Sequence, residues 1–121
     1  MAKDITVVLN QIQRVEGVSS ILVVDREGLL IAETGSRSNN GAPVEKLASA
    51  FAVAIHNFEQ SAGDIGDVEQ VIVEKENEDK LMMWVNEKYI LAVVTEKQAN
   101  LGMVRMEMRE AIESLNELLL T

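Results

Sequence analysis

The fold of this chain is decided by residues 19–34, which read SSILVVDREGLLIAET. Two β-rich runs, Ser19 to Asp25 and Leu29 to Thr34, are joined by a short loop in which Gly28 can take the positive φ that such a hairpin requires. The first run contains four successive apolar residues, which is typical of a strand buried on both faces. The sequence therefore predicts a hairpin inside a sheet that helices cover on both sides.

Amphipathic helices are predicted on both sides of this hairpin. The first begins at Asp4 as N-cap and ends at Gly17, and the second follows the polar loop 35–41 and Pro43 and runs to about Ser61. The apolar side of the first helix comprises Ile5, Val8, Leu9, Ile12 and Val15. The predicted core face of the second helix comprises Val44, Leu47, Ala48, Phe51, Ala54, Ile55 and Phe58.

Three more strands and a last helix complete the order. The strands are predicted at Asp67 to Glu76, Lys80 to Asn86 and Tyr89 to Thr95, with connections short enough for antiparallel hairpins. Asn100 is the predicted N-cap of the final helix. The 121 residues are expected to form one domain, 1–121, with the order helix, two strands, helix, three strands, helix.

Composition narrows the classes of function. The chain has no cysteine, so disulfides, thiol catalysis and cysteine metal sites are excluded. Its net charge of -9 disfavours partners such as nucleic acid or an anionic membrane surface, which attract basic proteins. The opening residues MAKDITVVLNQI have no long apolar core, so we expect neither a signal peptide nor insertion into a membrane. These features favour a cytoplasmic protein.

The sequence offers no catalytic constellation. It lacks a phosphate-binding loop of the G-x-x-x-x-G-K-[ST] type, and its single histidine, His56, has no second imidazole with which to share a metal. We interpret His56 as a surface helix residue and not as a general base. The chain is therefore expected to need no cofactor or metal and not to be an enzyme.

The second helix carries a first interface signal. On a helical wheel Glu45, Ser49, Val53, His56 and Gln60 lie opposite the predicted core face. Val53 is near the centre of this face, and the small residues Ala50 and Ala52 flank it, which lets another helix approach closely. Residues 48–55 also carry no charge. An ordinary exposed valine would explain the pattern less well than a helix-helix contact.

The third strand carries a second signal. Apolar residues such as Val71 and Val73 alternate there with polar ones, and charges crowd its C-terminal half, which is typical of an edge strand. A twofold dimer uses the same patch twice and so can pair two such edges. We therefore predict a homodimer whose interface includes Ala50, Ala52, Val53, Val71 and Val73.

These elements resemble the roadblock/dynein light chain family over essentially the whole chain. The matching stretches are VEGV at 15–18, the hairpin ILVVDREGLLIA at 21–32, and NLGMVR at 100–105. Arg26 and Glu27 separate the aspartate and glycine that the family's hairpin usually places together. Among subgroups the sequence is most similar to the prokaryotic MglB-like proteins, and it also resembles the Ragulator roadblock subunits.

The resemblance implies a fold and a function. The fold would be an α/β (α+β) sandwich, a five-stranded antiparallel sheet with the second helix on one face and the two terminal helices on the other. The function would be a noncatalytic homodimer that regulates or scaffolds a small Ras-like GTPase. A structural adaptor without effect on nucleotide turnover remains the alternative, and a small-molecule sensor is disfavoured because the chain has only four aromatic residues.

The second helix also supplies the predicted partner surface. Two copies of this helix near a twofold axis would form a platform for one GTPase. The residues that we predict to contact the partner point away from the predicted core face and are Glu45, Lys46, Ser49 and His56.

Overall fold

A computed structural model describes residues 4–35, 44–63, 68–74 and 79–120, without the side chains of residues 44, 45, 47 and 48. Its elements follow the predicted order. The helices are α1 (Ile5–Gln13), α2 (Val44–Ser61) and α3 (Leu101–Leu119). The strands are β1 (Val18–Asp25), β2 (Leu30–Gly35), β3 (Gln70–Glu74), β4 (Lys80–Val85) and β5 (Tyr89–Thr95).

The five strands form one antiparallel sheet in the order β2-β1-β5-β4-β3. Strand β1 lies between β2 and β5, with Val23 opposite Ala32 on one side and Leu91 on the other. Its unbroken apolar run is therefore buried on both faces, as predicted. Strands β2 and β3 are the two edges, which confirms the edge position predicted for the third strand.

Two apolar layers cover the sheet. On one face α1 and α3 pack over alternate strand residues that include Ile21, Val23 and Leu91. On the other face α2 packs over the intervening residues, among them Leu22, Val24 and Ala92. This arrangement confirms the expected sandwich with one helix on one face and two on the other, because side chains of a strand point alternately to opposite faces.

The β1–β2 hairpin closes as the sequence predicts. Gly28 has φ +94°, and the Asp25 carboxylate accepts hydrogen bonds of 2.9 Å from the backbone N–H groups of Glu27 and Leu29. A Cβ at Gly28 would lie 2.7 Å from the Cα of Ser49 on α2. The glycine therefore permits both the turn and the close approach of α2 to the hairpin.

The predicted caps are present, but α1 is shorter than predicted. Asp4 accepts a hydrogen bond from the N–H of Thr6, and Asn100 accepts one from the N–H of Met103. Helix α1 ends at Gln13 and not near Gly17, because the chain must turn back before it enters β1. The Gln13 side chain donates to the Val18 carbonyl at 2.9 Å and fixes that turn.

Candidate dimer and partner surface

Helix α2 has a buried side and an apolar exposed side. Ala52 and Ile55 are fully or almost fully buried against the sheet. The other side carries four exposed apolar residues, which we call the outer stripe: Ala50, Val53, Ala54 and Phe58. Their spacing of i, i+3, i+4 and i+8 places them along one side of the helix, with Val53 55% and Phe58 58% exposed. Contiguous apolar surface of this kind is typical of an interaction site.

Three sequence-based assignments on α2 are wrong. Ala52 was predicted at the interface, but its side chain is fully buried and cannot reach a partner. Ala54 and Phe58 were predicted in the core, but both are exposed. Glu59 instead lies on the sheet-facing side, where its side chain is only 14% exposed and forms an ion pair with Arg26. The helix is therefore rotated relative to the purely apolar pattern.

Strand β3 presents an edge next to this helix. Val71 and Val73 are half-buried and pack against the apolar layer beneath α2. Ile72 points to the opposite face and is 39% exposed. Among the strands that the structure describes, only β4 pairs with β3, so the outer backbone groups of β3 face away from the sheet. The exposure of Ala50 and Val53 and the edge position of β3 suit an interface, and their role as dimer contacts stays a prediction.

The predicted partner residues do not form one cluster. Lys46 and His56 are exposed, but they are ten residues apart, or about 15 Å along a helix. Ser49 is only partly exposed, because it packs against Gly28 of the hairpin. The side chain of Glu45 lies outside the described residues.

A groove of about 510 Å³ lies beside α2 at the end of the sheet. His56, Glu69 and Glu87 line it together with the half-buried Arg26. The Arg26 guanidinium forms an ion pair with Glu59 and donates a hydrogen bond of 2.8 Å to the Asn86 carbonyl. Sequence reasoning missed this pair. Its signal was a basic residue inserted in the hairpin turn and a glutamate spaced four residues after Ile55.

Tyr89 is a buried phenol whose pKa is clearly shifted from its ordinary value. Desolvation by burial raises the pKa of the phenol to about 12, and the hydrogen bond from Asn86 offsets part of this effect. The hydroxyl donates to the Asn116 side chain at 2.6 Å and accepts from the Asn86 amide at 2.8 Å. At neutral pH the group is therefore a fixed structural hydrogen-bonding group.

We next ask whether the described residues could bind a metal ion or span a membrane. Across 4–35, 44–63, 68–74 and 79–120, no three His, Asp or Glu side chains are grouped so that they could hold a metal ion. None of the three helices, as far as the structure describes them, is both long and apolar enough to cross a membrane. What the surface does offer is contact area, on α2 and at the edge of β3.

The chain is similar in sequence to curated relatives and in fold to solved structures. Uncharacterized protein MJ1340 of Methanocaldococcus jannaschii is 34% identical over 110 residues, which cover 89% of this chain and 93% of the relative. The structure of Myxococcus xanthus MglB superposes with a TM-score of 0.81 at 24% identity, covering 94% of this chain and 93% of that one.

A second MglB structure, described as having a tetrameric arrangement, superposes with a TM-score of 0.83 at 23% identity and covers 93% of this chain and 85% of that one. These two structural likenesses show the fold. The family model described as Roadblock/LC7 domain matches residues 4–95, which include all five strands together with α1 and α2. The chain therefore belongs to the Roadblock/LC7 domain family.

Proposed function

We propose that this chain forms a homodimer through α2 and β3 and that the dimer binds a small Ras-like GTPase in the cytoplasm. Its role would be that of a regulator or scaffold, with no catalysis of its own. The observation that carries the proposal is the outer stripe of α2, an exposed apolar surface beside an unpaired strand edge in a Roadblock/LC7 fold.

Two exposed surfaces, the outer stripe and the edge of β3, support the proposed dimer because a second copy would bury both. Ala50 and Val53 of the outer stripe would pack against the same helix of a second copy, because small residues allow helices to approach closely. The edges of β3 would pair across the same twofold axis, and Val71 and Val73 would become more buried. One MglB structure of the same fold is described as having a tetrameric arrangement, which supports the proposed self-association.

The GTPase would bind where the two α2 helices meet. One GTPase fits across a twofold axis, so we expect two chains of this protein per GTPase. Lys46 and His56 are exposed and available for contact, whereas Ser49 is partly covered by the hairpin and should contribute less. Contacts with the switch loops would favour the triphosphate state, in which those loops are ordered.

The function is tested by measuring GTP turnover with and without this protein. The assay uses Ras-like GTPases from the organism in which this protein occurs. A rate increase identifies an activator, and binding without a change in rate identifies a scaffold. A charge reversal at Lys46 should weaken binding, while Arg105→Glu on the exposed side of α3 is the matched control and should not.

The alternative is a structural adaptor, which would still be a dimer but would bind no GTPase in either nucleotide state. If no GTPase binds in either nucleotide state, and Lys46→Glu and His56→Ala change nothing in the assay, the GTPase proposal is overturned and the adaptor is favoured.

A further inference from the structure

Five polar side chains form a continuous network at one end of the sheet, which we call the end-of-sheet network. It starts on α2, passes through the β1–β2 and β4–β5 turns, and ends on α3, which lies on the other face. Its members are Arg26, Glu59, Asn86, Tyr89 and Asn116. Neither the apolar layers nor the proposed partner surface explains it.

On the α2 face the network holds the end of the helix and the start of β3. One oxygen of Glu59 pairs with Arg26, and the other accepts a hydrogen bond of 3.1 Å from the N–H of Val68. The Arg26 and Glu59 side chains are 24% and 14% exposed. Removal of either partner would leave a mostly buried charge without its pair, which is costly.

Asn86 carries the connection to the other face. Its backbone oxygen accepts from Arg26 at 2.8 Å, and its side-chain amide donates to Tyr89 at 2.8 Å and to Asn116 at 3.0 Å. The Tyr89 hydroxyl in turn donates to Asn116 at 2.6 Å. Asn86 in the β4–β5 turn thus contacts α3 on one side and, on the other side, the β1–β2 hairpin, which in turn is paired with α2.

The network has little capacity to compensate for a lost contact. The Nε of Arg26 is buried and without a hydrogen-bond partner, so this guanidinium already has one unsatisfied donor. Tyr89 is fully buried, so its hydroxyl has no access to water. A displaced member would leave other buried polar groups unpaired, and each such group is costly.

We propose that the end-of-sheet network couples the position of α2 to the C-terminal turns of α3 on the opposite face. A partner that shifts the end of α2 would change the order of α3 around Asn116. This inference rests on the proposed function only for the identity of the partner, because the coupling is a property of the chain alone.

A double-mutant cycle on the full chain tests the coupling. Glu59→Gln and Asn116→Ala change the two ends of the network, and the unfolding equilibrium constant is measured for each and for the double variant. We expect the double variant to depart from the product of the single effects by about threefold or more. A departure smaller than about threefold overturns the proposal. No GTPase is present, so failure here is separate from failure of the proposed function.

The matched control cycle combines Glu59→Gln with Asn10→Ala. Asn10 accepts a hydrogen bond of 3.3 Å from Thr34 and lies outside the end-of-sheet network. The effects in this cycle should multiply. An equally large departure in the control would show a general response of the fold and would overturn the proposal.

If the double variant does not fold, amide hydrogen exchange of the single variant Glu59→Gln tests the coupling instead. Glu59→Gln should speed exchange at the amides of 116–120 by about threefold or more. Glu74→Gln is the matched control, since Glu74 pairs with Lys80 at 3.6 Å on the surface of β3 and β4, and it should leave those amides unchanged. Equal rates in the two variants would contradict the coupling.

Discussion

At the residue scale, Tyr89 links burial to a measurable pH dependence. The folded chain holds the phenol proton up to a pKa of about 12, whereas the unfolded chain releases it near the ordinary value of 10. The neutral form is therefore favoured by folding. Its contribution to stability is complete below about pH 10 and is lost as the pH rises toward about 12.

We predict a loss of about 2 to 3 kcal/mol in the free energy of unfolding between these two pH values, since each pKa unit corresponds to about 1.4 kcal/mol. Urea unfolding of the chain and of Tyr89→Phe checks this, because the variant should lack this part of the slope. Tyr89 is the only tyrosine, so phenolate absorbance reports its titration directly. Titration near pH 10 in the folded chain would contradict the account.

Gly28 gives a second prediction at this scale. Gly28→Ala should destabilise the fold by about 1 to 3 kcal/mol, because the residue has φ +94° and a Cβ would meet the Ser49 backbone at 2.7 Å. Gly63→Ala is the control: its nearest contact is 3.9 Å and its φ is not positive, so its stability should change by less than about 1 kcal/mol. Thermal unfolding compares them, and equal losses in both variants would refute the role of Gly28.

Individual residues also show where sequence reasoning fails. Asp4, Gly28 and Asn100 were predicted correctly, because caps and turns depend on local chemistry. The burial predicted for Phe58 was wrong, and the ion pair between Glu59 and Arg26, which are 33 residues apart, was missed. Each residue alone leaves a local signal, but no local pattern shows that two residues at that separation form a pair.

At the scale of elements, the strands were predictable because their apolar runs are short and are bounded by turn residues. Strand β5 has the predicted bounds, Tyr89–Thr95. The rotation of α2 was not predictable, because residues 48–55 carry no charge and so do not mark an outer side. The sequence placed Ala50 and Val53 of the outer stripe correctly, but only the structure shows that Ala54 and Phe58 are also exposed.

Helix α2 gives the prediction at this scale. If Val53 is buried in a dimer, Val53→Glu should weaken association by about 2 to 5 kcal/mol, because it places an unpaired charge in the contact. Val7→Glu is the matched control, since Val7 on α1 is 49% exposed and lies on the other face of the sheet. Light scattering over a dilution series measures both. A folded Val53→Glu variant that dimerises like the control would place the interface elsewhere.

At the scale of the whole molecule, the chain should be dimeric at micromolar concentration. Light scattering should give twice the chain mass of 13.4 kDa, because both the outer stripe and the β3 edge are exposed in one copy. A mass of 13.4 kDa would count against the interface.

The purified chain should also bind no nucleotide tightly. The sequence has no phosphate-binding loop, and the chain carries a net charge of -9, which opposes a triphosphate. Calorimetric titration with GTP, GDP and magnesium should be flat. A micromolar isotherm with one site per chain would contradict this assignment.

The central claim is that the dimer recognises a Ras-like GTPase across its twofold axis. The most direct measurement is the mass of the complex that this chain forms with a Ras-like GTPase of the same organism, loaded either with a nonhydrolysable triphosphate or with GDP. We expect two chains of this protein per GTPase in the triphosphate state and weaker binding in the GDP state. No complex in either state, from a chain that is itself dimeric, would contradict it.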